Sequence, residues 1–110
     1  MKKENIRIKG ITSAPGKATG IVRIVKAVSD LNKVKAGDIM VVDMSRQDFV
    51  PAAKRAAAVV TDEGGIITHV ATLAREFSIP CIVGTKIATQ VLKDGDKVEV
   101  DANKGIVRRV

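Results

Sequence analysis

The segment GGIITHVATLAR, residues 64–75, carries His69, the only histidine in the chain. Val70, Leu73, Ala74 and Phe77 recur at i, i+3, i+4 and i+7, which predicts a helix with one apolar stripe. Thr68 precedes that stripe and is suited to cap the helix through its hydroxyl. His69 then becomes the first helical residue, about 90° from the centre of the stripe at about 100° per residue. The imidazole is expected at the helix mouth, outside the core, beside the low-bulk pair Gly64 and Gly65.

A helix mouth has its own chemistry. The first backbone N–H groups lack internal acceptors, and the macrodipole is positive there, so an anion such as phosphate is favoured. The same field favours a neutral imidazole, which keeps one ring nitrogen free as a nucleophile. Gly64 and Gly65 let a bulky phosphoryl donor approach the backbone. A lone histidine also has a bland, structural reading, and spacing alone leaves both readings open. Metal binding is disfavoured, because no second histidine or cysteine cluster accompanies it. A serine hydrolase is disfavoured too, since no nucleophile-elbow motif is present.

The elements that must hold this segment follow from the rest of the chain. Its 110 residues fit one domain, expected over 1–110. IRIKGI alternates and reads as a first strand, residues 13–20 (SAPGKATG) as a turn-rich loop, and GIVRIVKA as a strand. SDLNKVKAGD is a turn holding at most a short helical piece. IMVVD at 39–43 and AVVTD at 58–62 are buried strands separated by an alanine-rich helix over 48–58, with Pro51 tolerated in its first turn. After the histidine helix come Pro80, the strand CIVG, a short helix within 85–93, a DGD turn, and a hairpin closing at 103–105. Alternation in the middle with paired strands at both ends predicts a three-layer or mixed β/α domain.

Composition narrows the function. The single cysteine, Cys81, excludes an internal disulfide and reads as a small buried strand residue. The basic start MKKENIRIKG has no apolar stretch behind it, so the expectation is a cytoplasmic chain with no membrane segment. The net charge of +7 is dispersed along the sequence, and the chain has no Trp or Tyr. Without interleaved aromatics for base stacking, nucleic-acid binding is disfavoured, though a basic nucleic-acid protein stays among the alternatives.

Four segments in order carry a resemblance: ITSAPGKATGIV, MSRQDFVPAAKRAAAVVTDEGG, TDEGGIITHVATLAREFSIPCIVGT and LKDGDKVEVDANKGIV. Together they resemble the mobile phosphohistidine domain of the phosphoenolpyruvate-utilising enzymes. That family includes pyruvate phosphate dikinase, phosphoenolpyruvate synthase, and Enzyme I of the sugar phosphotransferase system. The resemblance implies an α/β, swivelling β/β/α three-layer domain. Its His69 would accept a phosphoryl group and relay it between a nucleotide site and a pyruvate or phosphoenolpyruvate site. Gly64 and Gly65 would shape the loop, while Thr68 caps the helix and bonds the phosphate. Thr61 and Glu63 would support them from behind. Arg75 either neutralises phosphate or, the preferred reading, forms a structural ion pair. No cofactor is expected on this chain. Mg²⁺ and ATP or phosphoenolpyruvate belong to partner domains, a nucleotide-grasp unit or a phosphoenolpyruvate-binding barrel. The resemblance departs from the common pattern at Ile67, where many members have Thr, at Thr68, and at Ala14 between Ser13 and Pro15. Ile67 points toward the branch near phosphoenolpyruvate synthase and rifampicin phosphotransferase. A non-catalytic anion-binding or regulatory module with the same fold is the competing reading.

Overall fold

The computed structural model describes residues 6–44, 46–65 and 69–110. The strands are β1 (Arg7–Lys9), β2 (Ile11–Ala14), β3 (Lys17–Val25), β4 (Ile39–Val42), β5 (Ala58–Thr61), β6 (Cys81–Val83), β7 (Lys97–Asp101) and β8 (Ile106–Arg109). The helices are α1 (Val50–Arg55), α2 (His69–Glu76) and α3 (Ala88–Val91), with short 3-10 turns at Val28–Lys33 and Gln47–Phe49.

The strand order is β1-β8-β7-β3-β4-β5-β6-β2. β1 and β2 occupy opposite ends of that order, yet Gly10 alone joins them, so the array must fold over on itself. Two features make the fold possible. The long strand β3 pairs antiparallel with β7 through Lys17–Ile21 and parallel with β4 through Val22–Val25. Gly10 turns the other corner. A Cβ there would lie 2.5 Å from a methyl of Ile82 and 2.7 Å from the Val83 carbonyl oxygen, which only glycine avoids.

Period-two alternation then sorts side chains into two cores. Ile8, Val22, Ile39, Val41, Val60, Ile82, Val98 and Val107 meet between the two sheet halves. Val25, Met40, Val42, Val59, Cys81 and Val83 face the other way, against α1 and α2. Burial of each such Val or Ile stabilises by roughly 1.5–3 kcal/mol. On the helix side Ala52, Ala53, Ala71 and Ala74 are buried, so α1 and α2 sit close to the sheet. The result is three layers, β/β/α, with His69 in the α layer.

Several expectations are corrected. Residues 13–20 are mostly strand: Ser13 and Ala14 end β2, and Lys17 opens β3 in register with Asp101 of β7. Only Pro15 and Gly16 make the turn, with Gly16 at φ +130 against the Pro80 ring. IRIKGI is two strands broken at Gly10. The helix of 48–58 shrinks to a 3-10 turn running into α1, because Ala56 is already extended and Ala58 pairs with Ile39. Phe77 is 55% exposed rather than in the stripe. α2 ends at Glu76 and the chain turns through Ser78 at φ +56, which leaves the Phe77 ring outside under Lys54 Nζ, 5.2 Å from its centroid.

Candidate functional site

The three parallel strands β4, β5 and β6 end on the same side, and the glycine segment leaves the middle one. Loops at carboxyl ends of parallel strands are where such sheets build sites. Here the loop is held from both flanks by its backbone. Glu63 N–H donates to the Asp43 carbonyl at 2.9 Å, on the β4 side. On the β6 side, Gly84 N–H donates to the Glu63 carbonyl at 2.9 Å and Lys86 N–H to the Asp62 carbonyl at 2.9 Å.

Side chains complete the anchorage. Thr61 is buried and its hydroxyl donates to the Glu63 carbonyl at 2.7 Å, so it folds the loop over its own strand end. Thr85, also buried, donates its hydroxyl to the Thr61 carbonyl at 2.9 Å. The Asp62 carboxylate accepts the Thr89 N–H at 3.0 Å and the Thr89 hydroxyl, which ties the loop to the start of α3. Gly64 packs on Gly84: a Cβ on Gly64 would sit 3.3 Å from the Gly84 Cα. Gly65 is exposed next to it.

His69 is the first residue of α2 and is exposed, while Val70, Leu73 and Ala74 beneath it are buried. The imidazole therefore stands off the core, as the spacing predicted. It opens onto a groove of about 670 Å³ between α1 and α2, lined also by Val50, Pro51, Thr72, Leu73 and Glu76. Thr68, the expected cap, and Ile67, the departing residue, lie outside the described residues.

Arg75 takes a different partner from the one expected. Its Nη1 donates to the Ser13 hydroxyl at 2.9 Å and the Ser13 carbonyl at 3.4 Å, tying α2 to β2 without a carboxylate. Cys81, beside Ser13 in the sheet, is fully buried, and burial pushes its thiol up to about 12, with the Ser13 hydrogen bond and the Arg75 charge opposing. Thr61 enters the loop's hydrogen bonds through its hydroxyl and Glu63 through its backbone.

Asp62, Thr85, Thr89 and Gly84 were missed from sequence. Asp62 follows a strand end and could have been read as a capping acid, but the helix it serves begins 26 residues later. Among the described residues no three His, Cys, Asp or Glu side chains gather to hold a metal ion. Likewise no helix there is long and apolar enough to cross a membrane.

Fold and site together define a β/β/α domain that displays one imidazole at a helix mouth on a braced glycine loop. The chain belongs to the family described as PEP-utilising enzyme, mobile domain, whose model matches residues 34–105. A probable phosphoenolpyruvate synthase of Methanothermobacter thermautotrophicus is 46% identical over 107 residues, 97% of this chain and 16% of that protein. One from Archaeoglobus fulgidus is 52% identical over 102 residues, 93% of this chain and 14% of that protein. The chain thus spans about a seventh of these relatives. The solution structure of an Enzyme I protein superposes with a TM-score of 0.62 at 28% identity, covering 72% of this chain and 33% of that one.

Proposed function

We propose that this domain is a phosphohistidine carrier. His69 takes a phosphoryl group at one partner site and delivers it at another, between nucleotide and pyruvate or phosphoenolpyruvate. The observation that supports this most is the placement of His69: exposed at the first turn of α2, off the core, on a loop pinned through Asp43, Gly84 and Lys86. A side chain retained only for packing has no need of that position.

In the loading step an imidazole nitrogen lone pair attacks phosphorus in line with the leaving oxygen. The N–P bond forms, the P–O bond to the donor breaks, and its electron pair leaves on the donor oxygen. Delivery reverses these events on the acceptor. Splitting one transfer into two lets the donor and acceptor sites stand apart. Mg²⁺ belongs with the partner domains, where it would offset charge on the transferring group. This chain contributes the nucleophile, on a loop held by backbone hydrogen bonds from both flanks.

The test supplies radiolabelled phosphoenolpyruvate and a phosphoenolpyruvate synthase from which its own mobile domain has been deleted. The chain should acquire label that is lost in acid, survives alkali, and is absent from His69→Ala. Acid-stable label, or label on His69→Ala, contradicts the assignment.

A further inference from the structure

We propose that the groove between α1 and α2 is the docking seat for a partner surface that is apolar at its centre and cationic at its rim, the cation facing Glu76. This rests on the carrier reading of His69. The groove's floor is aliphatic, made by Val50, Pro51 and Leu73, while His69, Thr72 and Glu76 edge it. No Lys or Arg lines it among the described residues. The cations on and just before α1 are engaged elsewhere: Arg46 lies 5.7 Å from the Phe49 centroid, Lys54 5.2 Å from that of Phe77, and Arg55 donates to the Val34 and Leu31 carbonyls at 3.0 and 2.9 Å.

This charge pattern selects the partner. A phosphoryl group on His69 adds negative charge to a groove whose other ionisable lining residue, among the described residues, is the carboxylate Glu76. Transfer needs that charge neutralised where water is excluded. Among the described residues the groove supplies no cation, so the covering surface must, and one of its cations then lies opposite Glu76. The apolar floor of Val50, Pro51 and Leu73 supplies area that is dry once covered. Electrostatic complementarity of this kind mainly steers encounter and register.

The experiment uses the whole chain with the Archaeoglobus fulgidus phosphoenolpyruvate synthase lacking its mobile domain, and in parallel phosphoramidate, a small donor that needs no docking. Glu76→Lys and Thr72→Arg alter exposed positions outside the core. Both variants should accept phosphate from phosphoramidate at the parental rate. With the truncated synthase their KM for the carrier should rise at least tenfold with kcat changed less than about threefold. The Glu76→Lys penalty should shrink in high salt, and Glu76→Asp should restore the parental KM. Unchanged KM in both variants overturns the docking proposal, as does a wild-type chain that is loaded by phosphoramidate but not by the synthase. A wild-type chain that phosphoramidate does not label at His69 overturns the carrier reading itself.

Discussion

Thr85→Val tests the bracing of the glycine loop through one oxygen atom. Thr85 is 5% exposed, and valine keeps its shape while exchanging a hydroxyl for a methyl. The hydroxyl's contacts are lost: its donation to the Thr61 carbonyl at 2.9 Å, shared with Asp62 Oδ1 at 3.4 Å, and its acceptance of the Ala88 N–H at 3.3 Å. The Thr61 carbonyl retains the Thr85 backbone N–H at 3.1 Å, so it stays partnered. The Ala88 N–H loses its described acceptor in a buried place, which costs about 1–3 kcal/mol. Unfolding entropy near 2.1 cal/mol/K per residue gives roughly 0.23 kcal/mol/K for this chain, so the melting temperature should fall by about 4–13 °C. Thermal unfolding followed by circular dichroism reads this directly. Thr85→Ser keeps the hydroxyl and should lose much less. A Thr85→Val melting curve superimposed on the parent's, or a Thr85→Ser drop of equal size, refutes the reasoning.

Gly10→Ala forces a Cβ to within 2.5 Å of Ile82 and 2.7 Å of a carbonyl oxygen, an overpacking worth about 1–3 kcal/mol or more, and should lower the melting temperature accordingly. A melting curve superimposed on the parent's would argue against a crowded corner at Gly10. Cys81 should resist alkylation at pH 8 in the folded chain and react on unfolding, because its thiol is pushed up to about 12. The sign for stability follows: an acid raised by folding contributes fully below its unfolded value, near 9, and that contribution fades as pH rises toward 12. Fast alkylation of native protein would contradict the burial. The chain alone should take no label from ATP or phosphoenolpyruvate, having no Walker-type loop; rapid self-labelling by the pure chain would overturn the need for partners.

The three-layer β/β/α architecture was legible because strand alternation and the 3.6-residue stripe are local signals. Val70, Leu73 and Ala74 fell where the stripe put them, and His69 fell outside it. The failures come from contacts distant in sequence. Residues 17–20 read as a loop until β7, some 80 residues on, supplies the partner strand. Gly20 looks like a turn residue, yet it is glycine because the Gly37 carbonyl oxygen would lie 2.5 Å from its Cβ. Phe77 keeps the helical period, but the helix stops one residue earlier. At the site, the residues on the glycine loop were visible and those behind it were not. Asp62, Thr85 and Thr89 act across the sheet from β5 to α3, and no short-range pattern announces that. Arg75 was expected to form an ion pair, but its partner is the Ser13 hydroxyl, and a hydroxyl leaves no charge pattern in sequence.

The central claim is that phosphate on His69 is in transit. The measurement is a chase: the labelled chain is isolated, then mixed with the mobile-domain-deleted synthase and excess pyruvate, and the product is followed by rapid quench. Label should leave His69 and appear in phosphoenolpyruvate at least as fast as the assembled system turns over. Label that stays on the chain, or departs only as inorganic phosphate at the same rate with and without pyruvate, contradicts the carrier role.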